Sequence, residues 1–114
     1  MIPEITVEEL SKKLNSQEQF ILLDVRELSE LEHAKISDRR LEVAPMSRLG
    51  AQGAAALPES AQIKEAVVYV LCHHGSRSAQ VTSWLASQGW SDVFSVSGGI
   101  AAYANKIDPS VGFY

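Results

Sequence analysis

The stretch Val67-Val68-Tyr69-Val70-Leu71-Cys72-His73-His74-Gly75-Ser76-Arg77-Ser78 decides the fold. Its first five residues are β-branched, aromatic or aliphatic, and such a short apolar run is typical of a buried parallel strand. The run stops at the only cysteine of the chain. Ser78 is a candidate helix N-cap, and the apolar residues that follow it at Val81, Trp84 and Leu85 share one helical face. The stretch therefore predicts a strand, a loop and a helix in that order.

The loop between this strand and this helix predicts an anion cradle with a nucleophile at its base. Parallel α/β sheets bind ligands at the carboxyl ends of their strands, and the unpaired N–H groups of a helix N-terminus favour anions. Gly75 permits backbone angles that turn successive N–H groups inward. The positive charge of Arg77 adds to this field, so the environment favours the thiolate of Cys72. A lone cysteine is more often a small buried hydrophobe, but the polar neighbours of Cys72 argue against that alternative.

Four short motifs resemble the landmarks of the rhodanese-family sulfurtransferases. In chain order they are Leu23-Asp24-Val25-Arg26-Glu27, Glu32-His33, Cys72-x-x-Gly75-x-Arg77 and Val96-Ser97-Gly98-Gly99-Ile100. Their order and spacing are similar to those of a single-domain member across nearly the whole chain. The resemblance implies a three-layer α/β sandwich, with a mostly parallel five-stranded sheet and helices on both faces. The alternation of apolar runs with helical patterns also favours an α/β fold with a largely parallel sheet.

The same resemblance implies a sulfurtransferase with Cys72 as the nucleophile. The thiolate would take sulfane sulfur from thiosulfate or a persulfide donor, and a thiol or cyanide acceptor would then remove it from the Cys72 persulfide. A protein could also act as sulfur donor or acceptor. The substrate-binding loop would consist of the residues after the nucleophile, which are His73, His74, Gly75, Ser76 and Arg77.

Two roles remain open for His73 and His74, which occupy the variable positions of the loop. One of them could face the substrate and protonate a leaving thiol, because imidazole titrates near neutrality. Equally, both could point to solvent. A zinc site is not predicted, since one cysteine beside two adjacent histidines lacks the paired spacing of zinc ligands. No motif for another cofactor is present.

Asp24 and Arg26 lie near the carboxyl end of a second apolar run, residues 20–25, which predicts a buried strand. Buried carboxylates usually serve as satisfied hydrogen-bond partners, so the structural interpretation is that Asp24 accepts bonds from loop N–H groups and braces the neighbouring loop. The functional interpretation is that Asp24 and Arg26 tune the electrostatic field at Cys72 without touching substrate. The structural interpretation is favoured.

Two rival functions also remain open. A cysteine phosphatase or arsenate reductase would use a similar loop. Tyrosine phosphatases and their rhodanese-fold relatives place five residues between cysteine and arginine, whereas four separate Cys72 from Arg77. The shorter loop implies a smaller cradle, better suited to a sulfur atom than to a phosphate. The second rival is a persulfide carrier that exchanges sulfur with partner proteins, and an intact Cys72 does not exclude it.

Length and composition narrow the remaining classes. The 114 residues, 46% of them hydrophobic, fit one domain over 1–114. The net charge of −4 gives no support for nucleic-acid binding, and no apolar run reaches the roughly 18 residues of a membrane span. The first residues lack the pattern of a signal peptide, and one cysteine cannot form an internal disulfide. These features predict a cytoplasmic protein.

The remaining elements are predicted from local patterns. Capping boxes at 6–9 and 29–32 predict helices that end near Asn15 and Lys35. Residues 36–42 depart from the rhodanese pattern, because charged residues replace a small glycine-alanine pair. Arg39 and Arg40 are interpreted there as a solvated corner, or less favourably as a docking spot for an acidic partner, before a strand at 41–44. Residues 46–63 predict one broken helix and a loop.

Overall fold

A five-stranded parallel sheet forms the centre of the protein, whose computed structural model describes residues 2–114. The strands are β1 (Glu4–Ile5), β2 (Ile21–Asp24), β3 (Leu41–Val43), β4 (Val68–Leu71) and β5 (Val93–Val96). Their order across the sheet is β1-β5-β4-β2-β3, and every neighbouring pair is parallel. This arrangement confirms the predicted α/β fold. The two buried runs predicted at 20–25 and 67–71 form β2 and β4, which lie side by side.

Helices cover both faces of this sheet. They are α1 (Val7–Leu14), α2 (Met46–Gln52), α3 (Ser76–Ser87) and α4 (Gly99–Lys106). Short 3₁₀ turns occur at Leu28–Glu32, Gly53–Ala56, Glu59–Gln62 and Pro109–Val111. The predicted break in segment 46–63 is therefore present, as one short helix followed by two such turns.

Successive residues of β2 and β4 point to opposite faces of the sheet, so the core has two parts. On one face Leu23 and Val70 pack with Leu49 of α2 and with Val81 of α3. On the other face Leu22 and its neighbours pack with side chains of α1 and α4. Cys72 belongs to the first of these clusters. Helix α3 is thus anchored by its apolar face, and its N-terminus is held at the carboxyl edge of the sheet.

The first capping box is confirmed and the second is wrong. Thr6 caps α1, with the Thr6 hydroxyl accepting from the Glu9 N–H and the Glu9 carboxylate accepting from the Thr6 N–H. In the second segment the box instead joins Glu27 to Glu30, and it opens a 3₁₀ turn that ends at Glu32. The Glu30 carboxylate is involved in a long-range ion pair described below, and the local sequence pattern does not reveal that ion pair.

Arg40 is not at a solvated corner. It is 8% exposed, pairs with Asp38 at 2.8 Å, and lies over the ring of Phe20 at 4.5 Å. Its guanidinium also donates to the carbonyl oxygens of Lys13, Leu14, Ser16 and Glu18 at 2.7–3.3 Å. Arg40 therefore satisfies orphan carbonyls around the end of α1. Arg39, by contrast, is exposed.

The register of β2 against β4 positions the site. Asp24 pairs with Leu71 across the two strands, so the residues that follow each strand emerge at the same edge of the sheet. Cys72 follows β4, and Arg26 follows β2. Within residues 2–114, no helix is both long and apolar enough to cross a membrane.

Candidate active site

Cys72 lies at the base of a ring of N–H donors. Its Sγ accepts from the N–H of Gly75 at 3.1 Å and from the N–H of Ser78 at 3.2 Å. The thiol is also 3.4 Å from Ser78 Oγ, to which it donates. The side chain is almost entirely buried, at 1% exposure. Two backbone N–H groups thus point at the atom that would carry negative charge in a thiolate.

Ser78 has a different role from the predicted one. Helix α3 begins two residues earlier, at Ser76, and its N-cap is Gly75 in the left-handed conformation with φ 105°. Ser78 therefore lies in the first turn, where its backbone N–H has no intrahelical partner and is free to bind the sulfur. Its hydroxyl contacts the Gly75 carbonyl oxygen at 3.1 Å and Ser95 Oγ at 2.8 Å. Ser78 is thus a site residue, although its sequence pattern indicates only a capping role.

The Gly-Gly motif at the start of α4 braces the loop from behind. The N–H of Ile100 donates to the Cys72 carbonyl at 2.9 Å, and the N–H of Ala101 donates to the His73 carbonyl at 3.0 Å. Both carbonyls are thereby held by the N-terminus of a helix. Gly99, with φ 62°, lies directly against them. The resemblance places this motif before the last helix, and the structure adds its contact with the loop that carries Cys72.

Arg77 forms a two-bond ion pair with Glu30 at the rim of the site. Nη1 and Nη2 donate to the two carboxylate oxygens at 2.7 and 2.8 Å. The hydrogen bonds from Arg77 lower the pKa of Glu30 to about 2. The same bonds raise the pKa of Arg77. Because an arginine has five N–H groups, three of them are not used in this pair.

This ion pair gives a testable dependence of stability on pH. Since the pKa of Glu30 falls from 4.5 to about 2 in the folded protein, the pair stabilises the fold above pH 4.5. That stabilisation is lost as the pH falls from about 4.5 towards 2, where the unfolded chain binds the additional proton. Glu30→Gln should therefore lower the melting temperature at pH 6 and flatten its fall below pH 4.5. Thermal unfolding followed by circular dichroism across this range measures both effects.

Glu32→Gln is the matched control, because Glu32 is an exposed carboxylate in the same segment. We expect it to leave the shape of the wild-type curve unchanged. If Glu30→Gln and wild type show the same slope between pH 4.5 and 2, the ion pair does not contribute in solution.

Asp24 and Arg26 form a second, fully buried pair behind the site. Both side chains are 0% exposed, and the guanidinium of Arg26 donates to both carboxylate oxygens at 2.8–3.2 Å. Asp24 also accepts from the backbone N–H of Arg26, in the loop that follows its own strand, at 3.1 Å. Arg26 Nη1 reaches forward to the Glu30 carbonyl at 3.3 Å and to the Tyr114 hydroxyl at 3.1 Å. The pair therefore contacts the backbone of Glu30, the residue whose carboxylate holds Arg77.

The two loop histidines are stacked. The rings of His73 and His74 lie 3.8 Å apart, and Tyr114 covers the other face of His73 at 3.8 Å with an interplanar angle of 6°. Partial burial lowers the pKa of His73, and the neighbouring charge of His74 lowers it further. His74 is exposed. The alternative in which both histidines point to solvent therefore fits His74 but not His73.

The described residues, 2–114, contain no group of three or more histidine, cysteine, aspartate or glutamate side chains placed to hold a metal ion.

Sequence comparisons relate this chain to one domain family and to several known proteins. Residues 6–106 match the family described as "Rhodanese-like domain". A sulfurtransferase of Allochromatium vinosum is 33% identical over 97% of this chain and 96% of its own length. A putative sulfur carrier protein of Bacillus subtilis is 32% identical over 94% of this chain and 54% of its own. A chloroplastic rhodanese-like/PpiC domain-containing protein of Arabidopsis thaliana is 36% identical over 99% of this chain, which spans only 38% of that protein.

A solved crystal structure has a similar fold. The crystal structure of a rhodanese-like domain protein from Staphylococcus aureus superimposes with a TM-score of 0.73 at 27% identity, over 90% of this chain and 91% of that one. The whole described sheet, and not only the loop around Cys72, therefore has a counterpart in a known domain.

Proposed function

The chain belongs to the rhodanese-like domain family, and from this premise we propose that it transfers sulfane sulfur through a persulfide on Cys72. The observation that carries the proposal is the convergence of the Gly75 and Ser78 N–H groups on Cys72 Sγ. Such donors stabilise a thiolate before the reaction and an anionic persulfide after it. A buried structural cysteine has no need of two backbone donors aimed at its sulfur.

The reaction proceeds in two half-reactions. In the first, the Cys72 thiolate attacks the outer sulfur of thiosulfate, the sulfur–sulfur bond of the donor breaks, and sulfite leaves with the electron pair. In the second, an acceptor thiolate or cyanide attacks the outer sulfur of the persulfide, and the Cys72 thiolate leaves. Cys72 returns to the thiolate at the end of the cycle, so the enzyme is neither oxidised nor reduced overall and the cycle needs no redox cofactor.

Gly75, Ser76, Arg77 and Ser78 each have a part in this scheme. Gly75 and Ser78 supply the donors that hold the sulfur, while Ser76 opens the helix whose N-terminus faces the site. Arg77 is held by Glu30 with part of its guanidinium uncommitted, and this part attracts the anionic donor. Asp24 and Arg26 hold this arrangement from behind.

A protein donor or acceptor belongs to the proposal as well as a small molecule. A relative described as a putative sulfur carrier protein supports an exchange of sulfur between proteins. A reducing, cytoplasmic setting suits a single catalytic thiol, since oxidation would consume it. The exposed position of His74 beside the nucleophile leaves the rim accessible to such a partner.

Loading with thiosulfate is the direct test. After incubation with thiosulfate and removal of excess reagent, the intact mass should increase by one sulfur atom, and dithiothreitol should remove it. Cyanide should release the same sulfur as thiocyanate. Turnover of p-nitrophenyl phosphate that exceeds sulfur transfer would contradict the proposal and favour a phosphatase. Loading by a protein persulfide but not by thiosulfate would restrict the donor to proteins.

Arg77→Ala should weaken donor binding. The substitution removes the N–H groups at the rim that the pair with Glu30 does not use, so kcat/KM for thiosulfate should fall by a factor that corresponds to about 1–3 kcal/mol of lost binding free energy, mostly through a higher KM. Steady-state kinetics with thiosulfate and cyanide measure the loss. Arg39→Ala is the control, because it removes the same charge from an exposed position outside the loop. Equal kinetics for both variants would show that Arg77 does not act on the donor.

A further inference from the structure

Tyr114 joins the two charged pairs of the site through its hydroxyl. The hydroxyl donates to Glu30 Oε1 at 2.9 Å and accepts from Arg26 Nη1 at 3.1 Å. Glu30 holds Arg77, and Arg26 is bound to Asp24. The phenol therefore completes one continuous chain of contacts that runs from the buried carboxylate of Asp24 to the guanidinium at the rim. The sequence pattern around Tyr114 does not indicate these contacts.

The ring of Tyr114 makes a separate contact with the loop itself. It lies flat on His73 at 3.8 Å, and His73 follows the nucleophile directly. On its other side the ring is near His33, with 5.7 Å between centroids. All three histidines of the chain thus stand in one stack with Tyr114.

The backbone before Tyr114 is fastened to the body of the protein. Val111 accepts a hydrogen bond from the Lys35 N–H at 2.8 Å, and Gly112 packs so closely against the His33 carbonyl that a Cβ there would overlap it. Tyr114 itself is 40% exposed, and Phe113 is 64% exposed. The placement of Tyr114 is therefore determined by the contacts of the backbone before it and by those of its own ring and hydroxyl.

We propose that Tyr114 is a positioning residue for sulfur transfer, with its hydroxyl fixing the Glu30–Arg77 pair and its ring fixing the loop that carries Cys72. The inference rests on the proposed function, since it names a residue that prepares the same site. Tyr114 does not touch the sulfur. It acts through Glu30 on the donor-binding arginine, and through His73 on the cradle.

These two contacts affect different steps of the reaction. The cradle donors are the N–H groups of Gly75 and Ser78, and the hydroxyl of Tyr114 contacts neither of them. Loss of the hydroxyl should therefore weaken the binding of thiosulfate at Arg77 and leave the reactivity of the Cys72 thiol unchanged. Loss of the ring removes the support of His73, which lies between Cys72 and Gly75, and should also reduce thiol reactivity.

Tyr114→Phe and Tyr114→Ala separate the two roles, with Phe113→Ala as the matched control. Tyr114→Phe should raise the KM for thiosulfate about 3–10-fold with kcat nearly unchanged, because the hydrogen bond that fixes Glu30 is lost together with the one accepted from Arg26. It should leave the rate of iodoacetamide alkylation of Cys72 as a function of pH unchanged. Tyr114→Ala should raise KM in the same way and also slow alkylation at pH 7 by about 3–10-fold, because the cradle donors are held less firmly. Phe113→Ala should match wild type in every measurement.

Each outcome decides between alternatives. If Tyr114→Phe leaves the KM unchanged, the hydroxyl does not position Arg77. If Tyr114→Ala alkylates at the wild-type rate, the ring does not support the loop. Alkylation requires no sulfur transfer, so it tests the ring even where thiosulfate fails to load Cys72. A wild-type protein that never loads sulfur but shows the predicted alkylation differences would overturn the proposed function and leave the ring's role standing.

Discussion

Cys72→Ser should reduce sulfur transfer to the background of the assay and abolish the mass increase after incubation with thiosulfate. The chain contains no other cysteine, so no second thiol can carry the persulfide. A serine hydroxyl is a far weaker nucleophile towards sulfur, and it remains protonated at neutral pH. The two cradle donors from Gly75 and Ser78 should still find an oxygen to bind. The fold should therefore survive while the activity disappears.

The melting temperature and circular dichroism spectrum of the serine variant provide the first control for this prediction. A second control is Ser87→Ala, which changes a side chain at the far end of α3, where the hydroxyl donates to the Trp84 carbonyl oxygen. That variant should load sulfur as wild type does. Turnover by the serine variant above background would show that the persulfide mechanism is wrong.

The central sheet can be predicted well from the sequence because its signals are local. The buried strands β2 and β4 come from apolar runs that need both faces covered, and this requirement is visible within five residues. Thr6 and Glu9 are three residues apart, so their capping box is also predicted correctly. The position of Cys72 at the end of a strand follows from the same local patterns.

The contacts that complete the site are not local, and the sequence alone does not predict them. Arg77 and Glu30 are 47 positions apart, and Arg26 and Tyr114 are 88 positions apart. Nothing in the pattern around Glu30 distinguishes an ion-pair partner of Arg77 from a capping residue. The interpretation of Arg40 as solvated is wrong for the same reason, because a charged run looks solvated until the end of α1 is placed beside it.

Gly99 shows how strictly the last motif is constrained. Its φ of 62° lies in the left-handed region, which costs an L-residue about 1–2 kcal/mol. A Cβ at this position would also lie 2.5 Å from the Cys72 carbonyl oxygen and 2.6 Å from the His73 carbonyl carbon. These are backbone atoms, and both carbonyl oxygens are held by N–H groups of α4. Relief of the overlap must therefore move either the helix or the loop that carries Cys72.

Gly99→Ala should consequently destabilise the fold by about 2–5 kcal/mol, the sum of the strained backbone and the overpacking. It should also slow sulfur loading beyond what the lost stability explains, because the displaced carbonyls belong to Cys72 and His73. Gly50→Ala is the matched control. Gly50 lies exposed in α2, where an added methyl group would have no neighbour within 4 Å, and alanine is the better helix former by about 0.5–1 kcal/mol. Urea unfolding and loading rates, measured on both variants at a temperature where each is folded, test the prediction. A Gly99→Ala protein as stable and as active as Gly50→Ala would show that α4 does not brace the Cys72 loop.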